Sequence, residues 1–318
     1  MLEFSISIWA LAVVGCYFLV KEIFDNKLAL ISSFLLSVSS LNIFLSAAGD
    51  KNLLVNFALI FALYFLWSGL KYNHTFNFFL SGIFLGAGFY VGRNYLLAPL
   101  VAVFILYNYW RYIKVDFSLS KYEETKADLV RGFVLLLLTT VIASLPVGFY
   151  LWQNPEFILG TDGSVFGTTA PFAQFLDNLK WVVSNIFLVN FSGDNFVSWP
   201  VSIFLAIGFI KEFVHWVKRK HGHFSVAHTL IFSWLFVMLV PILLSANKPS
   251  ATNVSLVLPP LLILTARGIW WFIDKLNKWG HLVYPRPHKH WDGLDAGPLL
   301  ALIALLLSIA VLEISRLV

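Results

Sequence analysis

Charge is what this sequence has least of. Asp, Glu, Lys and Arg make up only 12% of its 318 residues, whereas 59% are apolar. Soluble globular chains carry about a quarter charged residues, so an ordinary water-facing surface cannot be covered here. Cysteine is nearly absent as well. Cys16 is the single one, and it lies inside the first apolar run, which excludes an internal disulfide framework or a thiolate metal site. No Walker loop, zinc-peptidase helix or Gly-x-Ser-x-Gly elbow occurs. No repeat of solenoid length is visible. The aromatic content of 17% excludes a disordered chain. The net charge of +5 is too small and too dispersed for a nucleic-acid-binding face, so no nucleic-acid partner is expected.

What the sequence does have is a succession of apolar runs long enough to cross a bilayer. Ten helices are expected, at 4–20, 28–47, 53–70, 76–92, 95–110, 132–152, 198–217, 226–246, 253–273 and 298–315. The runs are continuously apolar rather than alternating, which favours helices over barrel strands. The first is preceded by Glu3 and followed by Lys21, without a small-residue cleavage site, so it reads as a span and not a signal peptide. The fold class is therefore all-α, a polytopic transmembrane helical bundle of about ten spans forming a single domain over 1–318.

Lysine and arginine set the orientation. Of the 22 such residues, only Lys51, Arg93, Lys180, Lys248 and Arg316 fall on one side, so the other side is expected to be cytoplasmic. The cytoplasmic loops are then 111–131, a solvated connector of mixed charge, and 274–297, which holds His288 and His290. Two histidines without further ligands make a surface loop a better reading than a metal site. The longest outer loop is 154–197. Its apolar stretch at 181–191 is short for a span and is expected to lie in the interface or to re-enter. An eleventh span there would reverse the later topology.

The spans hold few ionisable groups, so the chemistry is sought at the outer edge. Asp50 and Lys51 follow Ser46-Ala-Ala-Gly49 between the second and third spans. A carboxylate and an ammonium at that level could engage a divalent ion, a lipid phosphate or a sugar hydroxyl, while Asp50 could equally cap the next helix. Arg93 follows Gly82-x-x-x-Gly86-x-Gly88. The glycines allow close helix packing, and a guanidinium where two spans meet suits a phosphate; a snorkelling cap is the plain alternative. Lys248 and Asn253 lie in the outer turn Asn247-Lys-Pro-Ser-Ala-Thr-Asn253, which could be an ordinary Pro-Ser turn. Asp194 lies in Ser192-Gly-Asp-Asn195 ahead of Pro200, a ligand-binding carboxylate or an Asx turn. Asp50, Arg93 and Lys248 are expected to border one outer cavity.

The order of these pieces resembles the polytopic GT-C-fold glycosyltransferases of the family 39 type, the protein mannosyltransferases and lipid A aminoarabinose transferases. The residues that carry the likeness are Tyr17-Phe-Leu-Val-Lys-Glu22-Ile-Phe24, Ser46-Ala-Ala-Gly49-Asp50, the Gly82–Tyr90 helix with Arg93, Gly193-Asp194-Asn195 ahead of Pro200, and the segment from Pro249 to Pro259. The similarity spans about 5–275. This sequence has Ala47 where many relatives have Arg, and Asn253 where some have Arg.

The resemblance implies a plasma-membrane, multi-pass enzyme with an extracytoplasmic active face. Such an enzyme moves a sugar from a polyprenyl-phosphate donor to an acceptor glycan, lipid or protein. Arg93 and Lys248 would bind the donor phosphate, with Lys51, Asp194 and Asn253 as further candidates. Asp50 would be a metal or acceptor ligand, a divalent ion being the one cofactor left open. Family members begin with a further helix and an outer loop holding the acidic catalytic residue, so the base is expected outside these residues, in a fuller form of the chain. A transporter would want polar residues at mid-membrane, and a non-catalytic scaffold would bind no donor.

Overall fold

The computed structural model describes residues 2–50, 52–91, 93–154, 171–187, 197–218, 223–245, 254–283 and 296–317. Its regular elements are helices: α1 (Leu2–Ile23), α2 (Asn26–Val38), α3 (Ser40–Ala48), α4 (Asn52–Tyr72), α5 (Thr75–Gly88), α6 (Ala98–Asp116), α7 (Leu119–Gln153), α8 (Pro171–Val182), α9 (Trp199–Lys218), α10 (His223–Leu243), α11 (Leu258–Val283) and α12 (Ala296–Ser315). Eight of them are individually long and apolar enough to cross a membrane. The pair α2 and α3, bent by 52° at Ser39, passes the same test jointly, and α5 is a shorter apolar helix. The chain is thus an integral membrane protein, and these elements match the ten expected runs. Successive passes alternate between a basic face, where α1, α4 and α9 end on Lys21, Lys71 and Lys218, and an opposite face.

Local chemistry sets the turns. Asp25 caps α2 by accepting from Leu28 N at 2.8 Å. Gly49 ends α3 in the left-handed region at φ 67°, where a side chain would be strained. The segment 111–131 differs from the expected connector. α6 runs to Asp116 and α7 starts at Leu119, so little more than Phe117 and Ser118 separates two helices. At about 1.5 Å per residue the 35 residues of α7 reach well beyond a hydrocarbon core of roughly 30 Å. Its first three turns carry Lys121, Glu123, Glu124, Lys126, Asp128 and Arg131, which is why a helix there reads as a charged loop.

The bundle packs α1 on α4, α4 on α5 and α5 on α7, then α9 on α11 and α6 on α10, with α11 against α2 joining the two halves. Glycine makes the closest of these contacts. A Cβ on Gly82 would lie 2.6 Å from the Leu136 carbonyl oxygen, and one on Gly86 would lie 2.8 Å from that of Thr140. This is the close approach expected of the Gly-x-x-x-Gly pair. Gly208 and Gly268 do the same between α9 and α11: a Cβ on either would come within 1.9 or 2.0 Å of the Leu264 or Phe204 carbonyl oxygen. In contrast, only 11% of the apolar window of α7 is buried, so most of its circumference faces lipid.

A side chain at Gly208 must therefore push two backbones apart. Gly208→Val should lower thermal stability in detergent by about 1–3 kcal/mol or more. Gly148→Ala meets nothing within 4 Å and should leave stability unchanged or slightly raised. Equal melting curves for Gly208→Val and wild type would refute the close α9–α11 contact.

Candidate functional site

The opposite face is where the backbone is irregular. At its first corner, Gly49 N and Asp50 N close the end of α3 on Ser46 O (3.3 Å) and Leu45 O (3.0 Å), and the Asp50 carbonyl accepts from Leu53 N at 3.3 Å. The backbone of Asp50 thus bridges the end of α3 and the start of α4. Its side chain is half-buried. Ser5 of α1 lies beside Gly49, so α1 flanks this corner.

The second corner joins α5 to α6. Tyr95 is fully buried and its ring sits on Gly88, where a Cβ would lie 2.1 Å from Tyr95 Cζ. Phe89 meets the same ring edge-on at 5.6 Å. Gly88 is therefore a seat for Tyr95, and that anchoring holds the intervening turn. Arg93 opens a short 3-10 helix, Arg93–Leu97, which places its backbone at the face expected for it.

Leu97, the end of that turn, begins a groove of about 440 Å³. Leu97, Leu100 and Phe104 form one wall, Ser233, Phe236, Val237 and Val240 of α10 the other, and Trp216 and Thr229 the floor. From Val240 to Thr229 the groove runs about 16 Å along α10. Leu100, Phe104 and Phe236 are exposed along it, so it opens toward lipid. Below it, Thr229 Oγ1 accepts from Asn108 Nδ2 at 2.9 Å and from Trp216 Nε1 at 3.1 Å, closing α6, α9 and α10 together.

Sequence reasoning passed over two buried carboxylates. Glu212 on α9 is 1% exposed. Its Oε2 lies 2.7 Å from His228 Nε2 and accepts from Arg267 Nη2 at 2.9 Å, with Lys211 Nζ 3.8 Å from Oε1. Arg267 in turn stacks 4.8 Å over Phe24. Glu313 on α12 lies toward the opposite face, on the amides of Ser40 and Ser198. Ionisable residues inside apolar runs were the available signal. A third omission is Asn178 of α8, whose Nδ2 donates to Leu243 O (3.1 Å) and Ser245 O (2.8 Å). It docks α8 on the end of α10; α8 is not among the described helices long and apolar enough to cross a membrane, and residues 188–191 of the stretch lie outside the described residues. The Lys21-Glu22 motif serves the basic face: Glu22 Oε2 takes Lys71 Nζ at 2.8 Å and Tyr72 OH at 2.9 Å.

Of the expected site residues, Asp50 is described in full and Arg93 in its backbone. Lys51, Asp194, Lys248 and Asn253 lie outside the described residues, as do His288 and His290. The single cavity expected from Asp50, Arg93 and Lys248 is therefore not decided by this geometry. Among the described residues no group of three His, Cys, Asp or Glu could hold a metal ion.

Residues 2–120 match the family of dolichyl-phosphate-mannose-protein mannosyltransferases. Among curated proteins, none matches the chain. Several solved structures do. The apo oligosaccharyltransferase of Archaeoglobus fulgidus is 15% identical, with a TM-score of 0.57, over 98% of this chain and 44% of that one. The same enzyme with zinc and sulfate gives 0.59 at 15% identity, over 98% and 40%. The archaeal oligosaccharyltransferase AglB with an inhibitory peptide and a dolichol-phosphate gives 0.55 at 15%, over 98% and 44%. The chain spans less than half the length of these structures. It has their fold, the GT-C arrangement of membrane helices.

The Glu212 cluster carries a sharp expectation. Glu212→Ala leaves the buried His228 and the half-buried Arg267 without their carboxylate, and should cost about 2–4 kcal/mol, seen as a loss of folded, monodisperse protein. Replacing Glu212 and Arg267 together by Met should recover part of that loss. No recovery would show that the pair is not the unit that matters.

Proposed function

We propose that this chain, a GT-C-fold membrane protein whose first 120 residues match the mannosyltransferase type, forms the membrane part of a glycosyltransferase with a polyprenyl-phosphate sugar donor. One observation carries the reading. A lipid-accessible apolar groove runs along α6 and α10 and ends at the turn that bears Arg93. A polyprenyl chain needs an apolar trough along the bilayer depth, and its phosphate needs a cation where that trough reaches the headgroup level. The groove and the Arg93 turn supply both in one continuous stretch of chain.

The chemistry follows from the bond that breaks. Transfer cleaves the bond between the sugar's anomeric carbon and the phosphate oxygen, and the departing lipid phosphate gathers negative charge. A guanidinium at the headgroup level can stabilise that charge by charged hydrogen bonds. Arg93 takes this role and Lys248 is the second cation. The acceptor hydroxyl gives up its proton to a carboxylate, whose identity stays open. Asp50, at the corner between α3 and α4, is the candidate acceptor or metal ligand. Lys51, Asp194 and Asn253 are further candidates on the same side. By the charge rule that side is extracytoplasmic, and the plasma membrane is the membrane we propose for it. The acceptor is a glycan, lipid or protein reached from there.

Neither alternative class gains an observation. Among the described residues the two buried carboxylates, Glu212 and Glu313, are held by fixed partners.

Binding of two probes to purified protein tests the reading: a long-chain polyprenyl phosphate and a two-isoprene prenyl phosphate. The long chain should bind at least about tenfold more tightly, since each buried methylene contributes roughly 0.8 kcal/mol. Arg93→Ala should weaken both by about ten- to a hundredfold, the loss of a charged hydrogen-bonding pair, with the folded fraction unchanged. Equal affinity of Arg93→Ala and wild type would reject the arginine's role, and no binding by wild type would reject the reading. Sidedness has its own check. On a background lacking Cys16, cysteines at positions 120 and 288 should react with an impermeant maleimide only after the cytoplasmic face is opened. Labelling from outside would reverse the orientation.

A further inference from the structure

Glu313 lies on α12, beyond the segment whose motifs resemble the mannosyltransferases, and is 2% exposed. Its Oε2 accepts from Ser40 N at 3.0 Å and from Ser40 Oγ at 2.7 Å, while Oε1 accepts from Ser198 N at 2.6 Å. Ser40 opens α3 directly after the 52° bend, and Ser198 immediately precedes α9. Two helix N-termini, each with free amides and the positive end of a helix dipole, therefore meet on one carboxylate. Three donors approach these two oxygens, which is the environment of an acceptor-only group.

Each tethered helix leads to a residue of the candidate site. α3 runs from Ser40 to the Gly49–Asp50 corner within nine residues. Ser198 follows Asp194 by four positions in the chain. α12 has little packing to hold it otherwise, since only 17% of its apolar window is buried. Arg316, one turn further, places a guanidinium 3.9 Å from Oε1.

We propose that Glu313 is a positioning residue for glycosyl transfer. By holding the starts of α3 and α9 on one carboxylate, it fixes the Asp50 corner relative to the chain that enters α9. The proposal rests on the glycosyl-transfer reading for its functional half, and on the two amide contacts for its geometric half. A carboxylate is required. An amide at this position would turn an NH2 group toward a backbone N–H or the Ser40 hydroxyl, and would release one of the two helices.

The test uses the full-length protein, including the outer loop expected to hold the catalytic base, in lipid nanodiscs, as wild type, Glu313→Gln and Glu313→Asp. Two readouts are taken: amide hydrogen exchange, and release of lipid phosphate from a polyprenyl-phosphate mannose probe, with water or an added alcohol as the acceptor of the mannose. In Glu313→Gln, exchange at residues 40–42 and at residues 198, 199 and 201 should quicken by at least about tenfold, with α4 unchanged. Turnover per folded molecule should fall by at least about tenfold, with the donor KM within about twofold. Glu313→Asp should regain part of both. Unchanged exchange in Glu313→Gln overturns the proposal at its geometric half. Faster exchange with unchanged turnover per folded molecule overturns it in favour of a purely structural tie. Absence of turnover in wild type removes the premise and the proposal together, and the exchange data keep that failure distinct from the other two.

Discussion

A backbone amide in hydrocarbon has no water to bond to, and this constraint organises the whole molecule. A straight helix satisfies it without help; each break in a helix does not. Among the described residues, several breaks are repaired by bonds within the same turn or from elsewhere in the protein. Ser40 N, freed at the bend between α2 and α3, goes to Glu313. Gly49 N and Asp50 N turn back onto Ser46 and Leu45. The last carbonyls of α10 receive Asn178. At the end of α1, the Glu22 carbonyl accepts from Trp67 Nε1 and Lys71 Nζ. Most of these repairs lie toward the face opposite the basic one. Irregular backbone survives at membrane depth only where protein satisfies it, so that face can offer corners and turns for a polar substrate.

The groove follows from where close packing stops. Gly82 and Gly86 bring α5 onto α7, and Gly208 and Gly268 bring α9 onto α11, at backbone contact. The pairing of α6 with α10 has no such glycine. It is fastened near the basic face by the hydroxyl of Thr229, shared between Asn108 and Trp216. Above that contact Leu100, Phe104, Phe236 and Val240 line the space between the two helices. An apolar trough open to lipid results, and its upper end is set by the seat of Tyr95 on Gly88.

The helices were legible because lipid solvation writes itself as continuous apolar runs. Even the α2–α3 bend falls inside one expected run, since bending leaves hydropathy unchanged. The start of α7 was not legible. Its charged turns extend past the membrane, where hydropathy no longer distinguishes a helix from a loop. At the candidate site, the corners holding Asp50 and Arg93 were visible as short polar interruptions beside glycine. Glu212, Glu313 and Asn178 were visible only as isolated polar letters. Their meaning depends on partners 16 to 273 positions away in the chain, and no local pattern encodes such pairing.

The two buried carboxylates show how one residue type serves opposite ends differently. Glu212 is balanced by side chains, the Arg267 guanidinium and the His228 imidazole, drawn from two other helices. Its partners could be replaced jointly by apolar groups, because such a pair gains from Coulomb attraction about what it loses to desolvation. Glu313 is balanced chiefly by backbone amides. Those donors cannot be mutated away, so any apolar residue at 313 would leave the N–H groups of Ser40 and Ser198 unsatisfied in a low-dielectric setting. The cluster at the basic face is therefore exchangeable in principle, whereas the tie at the opposite face is imposed by the helix breaks themselves. Tolerance to change should be least where the backbone is broken, which is also where Asp50 and Arg93 are placed.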